Sequence, residues 1–162
     1  MKYSESTFDM LKTREDCYLA HFIPANFELK TNIAQRLSVS ADLYKRLVTK
    51  YPDYLTFFKN SNVIGDCLDT GNIFNLVVTE TSDDIATCST ISVALEKLKR
   101  LCIEKRIKKL AISFVGLKIS SNDIRFSTSI NNEERIMTIK FTIANLIKYT
   151  FNDTTIEITN FI

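Results

Sequence analysis

The sequence predicts an α/β fold in three layers, α/β/α, with a mixed, largely parallel central sheet. Three observations predict it. Strand-like and helix-like segments alternate through the second half of the chain, so strands must return to the sheet by helical crossovers, which leaves neighbours parallel. The run LAISFVG, residues 110–116, is apolar almost throughout, as in a strand buried on both faces. Asp69-Thr70-Gly71-Asn72 sits between two β-like runs and signals a hairpin, which supplies an antiparallel pair. The chain has 162 residues, which suits a single domain, 1–162, around one core.

Each element has its own warrant. Lys2 to Leu11 alternates weakly and reads as an edge strand, and Cys17 to Ile23 as a buried strand that breaks at Pro24. Leu29, Ile33, Ala34 and Leu37 recur at helical spacing, predicting a short helix over 28–37. Ser40 and Asp42 offer caps for a second helix with Leu43, Leu47 and Val48 inward; Pro52 stops it, and Tyr54, Phe57 and Phe58 follow as inward-facing aromatics. After the hairpin of 62–80, residues 83–90 are polar. Ile91, Ala94, Leu95, Leu98, Leu101 and Cys102 then form one helical stripe, with Glu96 and Arg100 four apart on the other face. Lys108 and Lys109 lead into the central strand. Ser120 to Ser129 reads as a polar loop in which Ile124 and Phe126 dock. Asn131 or Asn132 caps the last helix, Glu133 and Glu134 favour its dipole, and Ile136, Ile139, Ile143 and Ile147 line its buried side. Thr154 to Phe161 alternates and ends as a strand.

Composition narrows the function classes. The chain is 45% hydrophobic and 25% charged with a net charge of +2, so no whole-molecule field draws it to nucleic acid or an anionic membrane. The four cysteines, Cys17, Cys67, Cys88 and Cys102, lack CxxC spacing, which gives no metal or redox motif and no implied cofactor. The polar start MKYSESTFDM is unlike a signal peptide, and no apolar run reaches bilayer length. The expectation is an intracellular protein, cytoplasmic or nuclear, in a reducing compartment. Abundant Ile, Asn, Lys and Thr is a habit of AT-rich genomes, many viral ones included.

Four segments carry a family resemblance. TFDML (7–11) resembles a Gly-Asp-Leu/Ile opening. LAHFIPANFELKTNIA (19–34) resembles "LAHCIS…MGAGIA". IGDCLDTGNIFNLVVTE (64–80) resembles a hairpin whose second strand ends near "YLITK". STISVALEKLKRLCIEKRIKKLAISFVGLKISS (89–121) resembles a long helix, a central strand and a "PRIGCGLD" loop. In these the chain is similar to a macro domain, nearest the small branch that hydrolyses ADP-ribose from acidic side chains. The resemblance implies a cleft for ADP-ribose or a related nucleotide at the carboxyl ends of the strands. It matches Asp9 to the aspartate that contacts adenine, with Phe8 in place of the glycine, and puts Asn26 near a ribose-proximal position. Lys30-Thr31-Asn32 aligns with the Gly-Ala-Gly of the first phosphate loop. Gly116 matches the first glycine of the second loop, while Leu117 and Lys118 replace Cys-Gly. The catalytic aspartate position falls on Ser120, with Asp123 three residues on, and the catalytic lysine position on Thr79 or Glu80.

Glycines in such loops let backbone amides approach phosphate oxygens and permit positive φ. Asn32 tolerates left-handed geometry; β-branched Thr31 does not. Lys30 offers a compensating point charge. With both loops and both catalytic side chains altered, the expectation is a degenerate binding or assembly module for ADP-ribose, a related nucleotide or a protein partner. The alternative is an active ADP-ribosyl hydrolase using Lys30, Glu80 and Asp123. The candidate ligand residues are thus Asp9, Asn26, Lys30, Asn32, Gly116 and Ser120, and the catalytic candidates Glu80 and Asp123. Ordinary readings stand beside these. A lone Asp9 near a strand end serves as a turn residue, His21 as a structural histidine, Asp83-Asp84 as caps of the next helix, and the cysteines as buried thiols. The cluster Lys97, Lys99, Arg100, Lys105, Arg106, Lys108 and Lys109 is interleaved with Glu96 and Glu104 and lacks stacking aromatics, so a solvated helix face outranks nucleic-acid binding.

Overall fold

The computed structural model describes residues 1–10, 17–26, 64–70, 73–120 and 132–162. The described elements run β1 (Lys2–Ser6), β2 (Tyr18–Pro24), β3 (Cys67–Asp69), β4 (Ile73–Thr79), α1 (Cys88–Glu104), β5 (Lys109–Ser113), α2 (Asn132–Phe151) and β6 (Glu157–Phe161). One six-stranded sheet has the order β1-β6-β5-β2-β4-β3. Every neighbouring pair is parallel except β3 with β4. The expected mixed, largely parallel α/β sheet is therefore present. The two helices expected between residues 28 and 50, the aromatics at 54–58, and the docking of Ile124 and Phe126 lie outside the described residues.

Burial explains the strand sequences. Along β4 every residue after Ile73 is buried, and β5 is buried after Lys109. On one face Ala20, Phe74, Leu76, Val78, Leu110 and Ile112 pack against Ile91, Leu95 and Leu98 of α1 and Ile143, Ile147 and Phe151 of α2 in one core. Leu19, Ile23 and Val77, which alternate with them, are equally buried. A polar row crosses the middle of the sheet: His21 pairs in register with Asn75 on one side and Ser113 on the other, and all three are buried.

Several boundaries differ from expectation. β1 stops at Ser6, and Met10 is buried beyond it. β2 includes Pro24, because the β2–β4 register slips between Ile23 and Pro24 and spares the missing N–H. α1 begins at Cys88, and its cap is Thr87, not Asp83-Asp84. Thr87 Oγ1 accepts the Thr90 N–H at 3.1 Å, and Thr90 Oγ1 accepts the Thr87 N–H at 3.3 Å, a reciprocal capping box. Asp84 instead accepts the Thr81 N–H at 2.8 Å and closes the preceding turn. Thr87→Ala is expected to lower the unfolding free energy by about 1 kcal/mol, read by urea titration. α1 ends with Arg106 at φ 54 and the Ile107 N–H on the Cys102 carbonyl at 2.9 Å, a Schellman stop made without glycine. β6 starts at Glu157 rather than Thr154. The first helical residue of α2 is Asn132, and position 131 lies outside the described residues.

Candidate functional site

The carboxyl ends of the five parallel strands β1, β6, β5, β2 and β4 lie at one edge of the sheet, the usual ligand edge of open α/β folds. Backbone bonds lace the loops there. The Ala25 N–H donates to Thr79 O (2.9 Å) and the Asn26 N–H to Glu80 O (3.1 Å), so two of the sequence candidates meet. The Ala86 N–H donates to Lys118 O (2.8 Å) and the Ser120 N–H to Ala86 O (2.9 Å), so the loop after β4 clamps the loop after β5. The Ile162 N–H donates to Ser6 O (3.0 Å) and joins the end of β6 to β1.

The loop after β5 carries Gly116. β5 ends at Ser113, three residues short of the apolar run, because Phe114 to Leu117 form a turn closed by the Leu117 N–H on Phe114 O at 3.0 Å. Gly116 is its third residue at φ 88, a position that favours glycine. The Val115 N–H is held by Ser113 Oγ at 3.3 Å. The amides of Val115, Leu117 and Ser120 are thus committed within the protein. Leu117 is buried in the core, and Phe8 is 83% exposed. Leu117 also borders the cavity that lies beside this loop.

Between this loop, β6 and α2 lies a cavity of about 420 Å³ bordered by Phe114, Gly116, Ile139, Ile143, Asn160 and Phe161. Ile136, expected in the core, is 52% exposed on its rim. Lys140 and Asn160 are its polar members with charge or amide groups. A second hollow, of about 360 Å³, brings Glu80 together with Asp84, Thr87 and Thr90 above the start of α1. Thr79, at the other alignment of the lysine position, is nearly buried and donates its hydroxyl to Thr81 O at 2.9 Å. Asp9 is half-buried three residues beyond β1, and Asn26 half-buried just past β2. Lys30, Asn32 and Asp123 lie outside the described residues.

Sequence reasoning missed Asn160 and the cavity around it. The one local signal was an amide inside the apolar alternation of IEITNFI. His21 lies within the sheet rather than at its edge. Its Nε2 is 2.6 Å from Asn75 Oδ1, while Asn75 Nδ2 donates to Leu68 O and Thr70 Oγ1, both at 3.0 Å. Asn75 therefore offers His21 an acceptor, which fixes the neutral Nε2–H tautomer. Burial pushes the His21 pKa down to about 4, against the opposing Asn75 bond.

The remaining candidates resolve as structure. Lys97 pairs with Asp66 (3.5 Å), Lys99 with Asp153 (2.8 Å) and Lys105 with Asp69, so three cations of the basic cluster are tied to acidic neighbours. Lys99 also holds the exposed Asp153 carboxyl below its ordinary range through their hydrogen bond. All four cysteines are free, and burial pushes the Cys102 thiol up to about 12, which leaves it unreactive. Among the described residues no group of three His, Cys, Asp or Glu is placed to hold a metal ion.

No family model and no curated protein matches the sequence. Solved structures do match the fold. The macrodomain of Thermus aquaticus DarG superposes with a TM-score of 0.59 at 13% identity, over 99% of this chain and 97% of that one. The macrodomain of Mycobacterium tuberculosis DarG gives 0.53 at 16% identity, over 98% and 96%. Thermosipho africanus DarTG, solved in complex with ADP-ribose, gives 0.58 at 11% identity, over 99% of this chain and 41% of that one. The chain has the macrodomain fold.

Proposed function

We propose that this macrodomain-fold chain is a binding module for an adenine nucleotide of the ADP-ribose class, without robust hydrolysis. The carrying observation is the cavity of about 420 Å³ at the carboxyl ends of β5 and β6, apolar except for a few polar groups. That is the size and lining of a small-molecule site. Its place beside Gly116, together with the ADP-ribose complex of a protein of the same fold, supports the ligand class.

The chemistry argues against turnover. Release of ADP-ribose from a carboxylate by the family's route takes a cation and an acid at matched positions. Here those positions hold Thr79, whose hydroxyl is committed to Thr81 O, or exposed Glu80, and Ser120. The phosphate-facing loop has the amides of Val115, Leu117 and Ser120 committed internally. Affinity then comes mainly from the base and its sugar. At about 0.3 kcal/mol per heavy atom over ~19 atoms, a nucleoside binds with Kd on the order of 0.1 mM.

Calorimetric titration with ADP-ribose is expected to give saturable binding that Asp9→Ala weakens several-fold. ADP-ribosylated protein incubated with the chain is expected to keep its modification. No heat at millimolar ADP-ribose would remove the ligand reading, and release of ADP-ribose would make the chain a hydrolase.

A further inference from the structure

We infer that Asn160 selects what enters the cavity: its side-chain oxygen takes a hydrogen bond from an N–H donor on the buried edge of a ring ligand, favouring amino-bearing aromatics. This rests on the cavity being the ligand site and adds the chemical feature that the site reads.

Three observations carry it. Asn160 is 1% exposed and borders the cavity. Strand alternation puts its side chain on the face of Ile158, which packs against the helices, so the carboxamide points to the side of the sheet where the cavity opens. Its Oδ1 has no hydrogen-bond partner among the described residues. A buried acceptor left unpaired costs about 1–3 kcal/mol, so a native protein retains one where something uses it.

The orientation of the amide is fixed from behind. Tyr3 OH donates to Glu5 Oε1 at 2.8 Å, and Asn160 Nδ2 donates to Tyr3 OH at 3.0 Å. Burial, opposed by the Asn160 bond and aided by Glu5, pushes the Tyr3 pKa up to about 12, so the phenol keeps its proton. A phenol that donates to a carboxylate needs a donor in return, which puts the amide nitrogen toward Tyr3 and the oxygen away from it. The oxygen is itself shielded from solvent, so a ligand that pairs with it displaces a side chain of the cavity wall.

The test uses the intact chain and two matched pairs in NMR shift titrations: adenosine against purine riboside, which lacks the exocyclic amine, and aniline against toluene, its isostere. The amino member of each pair is expected to bind about tenfold tighter, one buried hydrogen bond's worth. Asn160→Leu is expected to abolish that preference while both members still bind. Tyr3→Phe, which frees the carboxamide to turn over, is expected to reduce it, and decides the matter should Asn160→Leu fail to fold. Equal affinities within the pairs, no binding of either pair, or a preference that survives both substitutions overturns the inference. A preference for amines with no ADP-ribose binding would sink the nucleotide reading alone. ADP-ribose binding without the preference would sink this one alone.

Discussion

Replacing Phe74 by alanine is expected to remove about 3–5 kcal/mol of stability, the usual range for a buried phenylalanine. Phe74 lies near the start of β4 with no exposed surface. Its ring stacks on Tyr18 of β2 with centroids 5.7 Å apart, and Lys105 Nζ stands 5.7 Å from its centre. Removing it opens a cavity between the sheet and α1, under the strands whose ends form the candidate site. A domain with about 5–15 kcal/mol in total loses a large share, and the midpoint falls by roughly 10 °C. Urea and thermal unfolding of Phe74→Ala and Phe74→Leu check it, with leucine costing the lesser part. A loss under about 1 kcal/mol for alanine would mean that Phe74 is not the packed centre described here.

Acidification is the second large effect. Because His21 is held neutral in the fold, with its pKa lowered from 6.5 to about 4, the unfolded chain takes up the proton first. Stability from this residue is complete above pH 6.5, falls as pH drops from there toward 4, and is level below. The integrated loss is about 3 kcal/mol. His21 is the only histidine in the chain, so the slope between pH 6.5 and 5 has few other sources. His21→Gln keeps an N–H for Asn75 and removes the titration. Its unfolding free energy is expected to be nearly flat over that window where the native chain's declines. Parallel pH profiles for the two proteins would contradict the assignment.

Legibility from sequence followed locality. β4 and β5 were readable because central strands are buried on both faces and their runs are mainly apolar. The same logic overran at 114–116, where apolar side chains continue through a turn and only the glycine marks the break. The stripe of α2 was read with the right period, yet Ile136 lies on the rim of a cavity instead of in the core. The cap of α1 was misplaced because an acidic pair and a threonine are equally plausible caps, and only the turn at Thr81 decides which is used. The cavity had no local signal beyond the amide of Asn160. Its walls come from the loop after β5, the first half of α2 and the end of β6, and sequence cannot show that these converge.

Under the proposed function the ring end of the ligand is bound and the pyrophosphate is not gripped. Side-by-side calorimetry of adenosine and ADP-ribose tests this most directly. The two are expected to bind within about tenfold of each other, a difference of ~1.4 kcal/mol or less. ADP-ribose binding more than about a hundredfold tighter than adenosine, some 2.7 kcal/mol, would show that the loop amides do hold the phosphates, and would contradict it.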